Sequence, residues 1–289
     1  MAHNTISIFS YEIPKLDIAK VVESSIDFFS DNFSPLTRAI SNVLEFCFEM
    51  IVSSLLYFNP IIIIILITSI AWLIGNRKNG ILAFCGLILI WNLGLWEPTI
   101  ETISLVLIST FIAVGIGLPI GILSAIYEKV YKVVMPILDF MQTMPAFVYL
   151  IPAIPFFGLG PVSATFSTVI FAMPPAIRLT CLGIRQLPEQ LIEAADAFGS
   201  NQMQKLVKVQ LPLAMPTIMA GINQTIMLSL SMVVIAAMIG AGGLGSEVWK
   251  AIQRFKPGAG FEAGLGVVIV AIILDRITQQ IAKTEKQKG

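Results

Sequence analysis

Apolar residues fill seven long runs in this chain, divided by short charged or glycine-rich stretches. They span about Ile51–Ile74, Ile81–Trp96, Ile100–Tyr127, Val134–Phe157, Val162–Leu182, Pro216–Ile239 and Ala263–Ala282. At about 1.5 Å per residue most of them are long enough as helices to cross roughly 30 Å of hydrocarbon. The pattern predicts an all-α integral membrane fold with about seven transmembrane helices. Ahead of the runs, Ile18, Val21, Val22, Ser25, Ile26 and Phe29 recur at helical spacing among Glu23, Asp27 and Asp31, which predicts an amphipathic helix at the membrane interface. Ser34-Pro35 reads as an N-cap and first-turn proline opening a second helix that carries Leu36, Ile40, Val43, Leu44 and Phe48. No basic region followed by a short apolar core marks a cleavable signal peptide.

The connecting residues orient the runs. Pro60 predicts a kink in the first, and Gly75 to Gly80 a tight hairpin whose Arg77 and Lys78 mark the cytoplasmic side. Trp91 and Trp96 fit the opposite interface, followed by an acidic external turn at Glu97 and Glu101. Lys129, Lys132, Arg185, Lys283, Lys286 and Lys288 side with the cytoplasm, whereas Lys250, Arg254 and Lys256 fall outside against that bias. The count places the amino terminus out and the carboxyl terminus in. Gly115, Gly117 and Gly121 in the third run predict close helix packing. The fourth run holds Pro136, Pro145, Pro152 and Pro155 together with Asp139, Gln142 and Thr143. Such interruptions are tolerated at membrane depth only where protein or water satisfies the backbone. Asn223, Gln224, Thr225, Ser229 and Ser231 in the sixth run should point inward.

Composition agrees with a membrane protein: 56% of residues are hydrophobic and 12% charged, where soluble proteins carry about a quarter charged. A net charge of zero argues against nucleic acid as a partner. Cys47, Cys85 and Cys181 lack metal-ligand spacing, and the single histidine, His3, lies in a terminus that should fray, so no metal site is expected. The sequence lacks the GxxxxGK[ST], HExxH and GxSxG signatures, so the chain should bind no cofactor and hydrolyse no ATP itself.

One polar stretch stands apart. Arg185 to Pro212, RQLPEQLIEAADAFGSNQMQKLVKVQLP, carries Arg185, Glu189, Glu193, Asp196, Lys205 and Lys208 between two apolar runs. Six charges at roughly 2.5–3.5 kcal/mol each would cost about 15–20 kcal/mol at membrane depth, so it belongs in water or against another protein. Leu191, Ile192, Ala195, Phe198, Met203, Leu206 and Val207 recur every three or four residues, giving a short helix one apolar face. Gly199 permits the positive φ that ends such a helix, and Leu211-Pro212 should halt the segment before the next run. The same pattern also suits an ordinary surface loop.

Glu193-Ala194-Ala195, Gly199 and Val209-Gln210-Leu211-Pro212 resemble the EAA loop of ABC-importer permeases, with valine where that family has isoleucine. The stretches 141–160, 171–183, 213–225 and 231–245 look like the permease subunit of glycine betaine/proline importers. That resemblance covers residues 100–282 closely. It implies a type I importer permease core of five helices at 100–282, with an EAA coupling loop at 185–212. Two additional transmembrane helices at 51–99, an amino-terminal amphipathic segment at 1–50 and a cytoplasmic tail at 283–289 complete the chain. Glu193, Ala194, Ala195, Asp196, Gly199, Leu211 and Pro212 are then the ATPase-coupling residues.

The resemblance further implies a bacterial inner-membrane protein, a separate cytoplasmic ATPase that uses ATP, an extracytoplasmic substrate-binding protein and a second permease copy. For the solute path the candidates are Asp139, Gln142, Tyr149, Asn223, Gln224 and Ser229, each with helix-to-helix hydrogen bonding as its plainer role. Phe140, Phe147 and Tyr149 offer aromatic faces to a quaternary ammonium, or simple packing. Two other readings remain at this point: an ABC permease for methionine, taurine or a phosphonate, and an autonomous channel or secondary transporter. Against the latter stands the lack of a visible inverted repeat.

Overall fold

The computed structural model describes residues 5–8, 11–14 and 17–288, without the side chains of 5–14, 18, 25, 27, 29–31 and 282–288. His3 therefore lies outside the described residues, as do the side chains of Lys283, Lys286 and Lys288. A short antiparallel hairpin, β1 (Thr5–Ile8) and β2 (Tyr11–Pro14), comes first; every other regular element among the described residues is a helix.

α1 (Ile18–Tyr57) is one helix of 40 residues, and the break expected at Ser34-Pro35 does not occur. Pro35 removes the N–H that would reach the carbonyl one turn back. Side chains supply donors in the adjoining turns: Asn32 Nδ2 donates to the Phe28 carbonyl at 2.8 Å and Thr37 Oγ1 to that of Ser34 at 3.2 Å. The chain breaks instead at Asn59. A residue before proline avoids the α region, and Asn59 takes ψ 135° while its side chain accepts from the Ile61 N–H at 3.0 Å. Pro60 then fills the first position of α2 (Pro60–Ile70), so the expected first span is two helices and not one kinked one. The apolar stretch that is long enough to cross in this region is Asn32–Tyr57, within α1.

α2 widens into a π turn at Ala71–Gly75, and Asn76 caps α3 (Arg77–Asn92) by accepting from the Asn79 N–H. Most of the expected polar hairpin is therefore the first turn of α3. Leu93-Gly94 turns the chain into α4 (Trp96–Ile126), in which Glu97 and Glu101 are helical and not part of a loop. Trp91 is exposed as expected, but Trp96 is buried.

Each run from residue 100 onward corresponds to one helix, except the fourth, which is a bent pair. The helices are α4, the bent pair α5 (Glu128–Thr143) and α6 (Leu150–Phe157), α7 (Pro161–Arg185), α10 (Leu211–Ala236) and α12 (Pro257–Lys288). Short helices α8 (Glu189–Ala197) and α9 (Gln202–Lys205) lie between α7 and α10, and α11 (Gly243–Gln253) between α10 and α12. Among the described residues, five helices are long and apolar enough to cross a membrane, or six if the pair bent by 112° is one span.

α4, α7 and α10 form the centre of the bundle, and small residues let their backbones approach. A Cβ on Gly121 would lie 2.7 Å from the Ile177 carbonyl, one on Gly221 3.0 Å from that of Pro175, and one on Gly183 3.0 Å from Thr217 Cβ. Gly115, on the same helix as Gly121, faces open space. Gly121→Ala should accordingly destabilise the detergent-solubilised protein by about 1–3 kcal/mol through overpacking. Gly115→Ala should be neutral or stabilise it by up to about 1 kcal/mol through helix propensity. Melting curves of the two variants beside the parent check both signs. α1 crosses the bundle on a stripe of Phe48, Val52, Leu55 and Leu56 packed against the core.

Candidate functional site

The Arg185–Pro212 stretch folds as two short helices with a capped turn between them. α8 ends in a Schellman motif: the Ser200 N–H donates to the Ala195 carbonyl at 3.1 Å and the Gly199 N–H to that of Asp196 at 2.9 Å. Gly199 holds φ +76°, and a Cβ there would meet nothing within 4 Å, so backbone conformation alone demands glycine. Asn201 opens α9 with a capping box closed by Gln204, at 2.8 and 3.0 Å.

A two-oxygen ion pair ties the two helices. Lys205 Nζ, buried, donates to Asp196 Oδ1 at 2.7 Å and Oδ2 at 2.9 Å. Ala195 is buried beneath this turn, while Glu193 and Ala194 are exposed. The apolar face is only partly covered: Leu191, Met203 and Val207 are exposed, and Phe198 is 91% exposed. Such a patch on a polar loop marks a surface that another protein can cover.

Pro212 does not stop the segment. α9 runs through a π turn at Leu206–Gln210 into α10, with Pro212 in the first turn of the latter. A proline ring clashes with the carbonyl four residues back, here Lys208, and the wider π turn relieves that contact. The loop is thus joined to a membrane helix without a flexible break. At the other end Arg185, the last residue of α7, pairs with Glu128 and lies 4.0 Å over the Tyr131 ring.

The six candidate path residues do not converge on one point. Tyr149 is buried, donates its hydroxyl to the Met141 carbonyl across the α5–α6 bend, and meets Phe171 edge-on at 5.7 Å. Ser229 is buried and accepts from Thr110 Oγ1 at 3.2 Å, linking α10 to α4. Asn223 Nδ2 donates to Asp275 Oδ1 at 3.0 Å, and the same carboxylate accepts from Gln279 Nε2 at 2.8 Å, which clamps α10 to α12. Asp139, Gln142 and Gln224 are exposed on this chain. Gln224 lies on an exposed α10 stripe with Ala220 and Ser231, so the inward direction expected for Gln224 and Ser231 does not hold within a single subunit. Asp139 pairs with Arg178 Nη2 at 2.6 Å.

Several of these partners are not evident from sequence. Arg178 reads as a marker of the end of its span, yet it reaches α5. Asp275 sits inside the last apolar run, where an acidic residue was itself the signal. Glu101 and Thr102 grip the glycine-rich turn: the Gly243 N–H donates to Glu101 Oε2 at 2.5 Å and the Leu244 N–H to Thr102 Oγ1 at 2.8 Å. The amino terminus of α11 is thereby filled by the protein's own carboxylate. An apolar groove of about 760 Å³ between α1, α4, α10 and α12 is lined by Val43, Ile51, Phe111 and Ile226 among others, and suits hydrocarbon better than a polar solute.

A helical membrane bundle with a broken span, glycine-mediated contacts at its centre and a capped polar loop offering an apolar face defines a transport permease subunit. The chain belongs to the binding-protein-dependent transport system inner membrane component family, which matches residues 117–286. It is a multi-pass inner-membrane protein of that class. It is 50% identical over 277 residues to the glycine betaine transport system permease protein OpuAB of Bacillus subtilis, covering 96% of this chain and 98% of the relative. It is 48% identical over 287 residues to the glycine betaine/carnitine transport permease protein GbuB of Listeria monocytogenes, covering 96% and 99%. With the glycine betaine/proline betaine permease protein ProW of Escherichia coli it shares 45% identity over 268 residues, covering 93% and 76%. The MetNI methionine ABC transporter in an inward-facing conformation superposes with a TM-score of 0.62 at 24% identity, over 66% of this chain and 95% of that one, and so shares the fold.

Proposed function

We propose that the chain is the membrane-spanning subunit of an ABC importer that carries glycine betaine, proline betaine or related quaternary-amine solutes inward for osmoprotection. The observation that carries this reading is end-to-end similarity to glycine betaine permeases, at 96% of this chain and 98% of the relative. ATP is used by a separate cytoplasmic ATPase, an extracytoplasmic binding protein delivers the solute, and two permease copies enclose the path within the lipid bilayer. With the coupling loop facing the ATPase, α10 leads out and α12 leads back, so the carboxyl terminus lies inside.

On this reading the exposed face of Leu191, Phe198, Met203 and Val207 docks on the ATPase, with Glu193 and Ala194 at the contact. Ala195, Asp196 and Gly199 fix the shape of that surface, and Leu211 and Pro212 pass its movement to α10 through the π turn. Asp139, Gln142, Asn223, Gln224, Ser229 and Tyr149 belong to the path and its walls. The exposed polar positions on α5 and α10 support a second copy, since a lone subunit would turn them to lipid. Likeness to the methionine transporter is one of fold and favours no change of cargo.

Radiolabelled glycine betaine uptake into proteoliposomes tests the proposal. Flux should require the permease, its ATPase, its binding protein and ATP together. Flux through the permease alone would make it a channel or secondary carrier, and ATP-driven flux of methionine but not betaine would move it to another cargo.

A further inference from the structure

Asp139 and Arg178 present a charged pair on the outer face of the bundle, Arg178 within the α7 span and Asp139 on the α5 arm of the bent pair. Arg178 lies seven residues, about 10 Å, from the coupling-loop end of α7. Charges at such depth are costly against lipid, so this face meets water or a second copy. Asp139 is 65% exposed along its side chain, and the pair is a single contact, Nη2 to Oδ1, unlike the two-oxygen pair at Lys205. Arg178 Nε is buried and has no hydrogen-bond partner. One carboxylate oxygen and two guanidinium nitrogens thus stand outside the contact.

The surroundings sort the two charges. Asp139 sits in the last turns of α5, which ends at Thr143 before the backbone turns out at Met144-Pro145. The carbonyl end of a helix is partly negative and favours a cation. Phe140 and Phe147, on either side of that turn, are exposed and offer faces of the kind that hold quaternary ammonium groups. Broken helices at membrane depth are also where transporters of other folds place solute sites.

We propose that Asp139 and Arg178 form a zwitterion subsite on the solute path, which rests on the cargo reading above. The quaternary ammonium of the solute lies against the Asp139 carboxylate and the end of α5, and its carboxylate takes the fork of Arg178. The solute replaces one internal ion pair by two external ones of the same kind, so opening the pair leaves no charge unmatched. A quaternary ammonium has no N–H to donate, which is why an acidic residue beside aromatic faces suits it better than a hydrogen-bond acceptor alone.

The test uses the complete transporter, with permease, ATPase and binding protein in proteoliposomes, and reads solute moved per ATP hydrolysed. Asp139→Asn and Arg178→Gln should each lower the solute moved per ATP hydrolysed at least tenfold. Exchanging the charges, Asp139→Arg with Arg178→Asp, should not restore it. Restoration by the exchange, or an unchanged ratio in the single variants, would make the pair a structural tie and overturn the subsite. A measurement on unaltered protein stands beside the variants in case they fold poorly. The permease–ATPase complex without binding protein should take up radiolabelled glycine betaine saturably, with proline betaine competing at least tenfold better than choline, which has the cation but no carboxylate. Equal competition by choline, or no saturable binding, overturns the proposal. Absence of betaine uptake by the complete wild-type system would instead count against the cargo reading.

Discussion

Gly199→Val should abolish solute uptake while leaving the protein inserted, folded and present at normal amounts. The residue holds φ +76° in the Schellman turn between α8 and α9. A left-handed backbone costs a β-carbon residue about 1–2 kcal/mol, and more for a branched one. No atom lies within 4 Å of the position a Cβ would take, so valine brings strain without a clash. That amount is too small to unfold a membrane bundle, but it acts on a turn held by two backbone hydrogen bonds and one ion pair. The cheapest relief is to lose the cap and let α8 swing away from α9, which destroys the surface shared by Leu191, Phe198 and Met203. Uptake and ATP hydrolysis in proteoliposomes, beside a melting curve of the same preparation, check the prediction. Normal uptake would show that the shape of this loop is immaterial, and loss of the folded protein would show that its role is in stability.

Gly243→Val should fail earlier, at the level of the folded protein. Gly243 also has a positive φ, +72°, but a Cβ there would lie 2.5 Å from Thr102 Oγ1 and 3.4 Å from the Pro98 carbonyl. The same residue donates its N–H to Glu101, so valine would push apart the contact that seats α11 on α4. Backbone strain, overpacking and a lost charge-assisted hydrogen bond add at one place, each about 1–3 kcal/mol. Against the 5–15 kcal/mol by which folded proteins are commonly stable, that sum is large. Little or no folded protein should be recovered from membranes by size-exclusion in detergent. A recovered variant with a normal melting temperature would mean that the turn relaxes independently of α4. Two glycines with nearly equal φ thus part company because one faces open space and the other faces α4.

The parts of the fold that could be read in the sequence were those set by local pattern. Each apolar run from Ile100 onward is helical, the fourth as a bent pair, because hydrophobic length and backbone hydrogen bonding leave a membrane segment little choice. The bend in the fourth run was announced by Pro145 and the neighbouring prolines, and the end of α8 by Gly199. Near the amino terminus two prolines behave in opposite ways. Asn59-Pro60 carried a cap-and-first-turn signature, but it lay within a long apolar run that argued for continuity. Ser34-Pro35 carried a similar signature, yet the helix runs through it, with Asn32 and Thr37 adding side-chain hydrogen bonds to the Phe28 and Ser34 carbonyls in the turns on either side.

Pairings across the fold were beyond reach. Nothing local joins Glu101 to Gly243 over 142 residues, or Arg178 to Asp139 over 39. Arg178 looked like a boundary marker because Arg185 follows within two turns. Asp275 was masked by the apolar residues around it, although a carboxylate inside a span needs partners, and the structure supplies them as Asn223 and Gln279. For the candidate site, polar groups could be named from the sequence at the loop and along α5. Which of the polar groups are already occupied within the subunit was not.

The π turn at Leu206–Gln210 makes the length of this junction matter as much as its composition. A helical junction converts each added or deleted residue into about 100° of rotation. A π turn already contains one residue more than regular winding needs. Deleting a residue there would give the chain back its ordinary winding and yet aim α8 in a wrong direction relative to α10. The number of residues from Lys205 to Leu211 therefore sets the direction of the loop, as the pitch of a screw must match its nut.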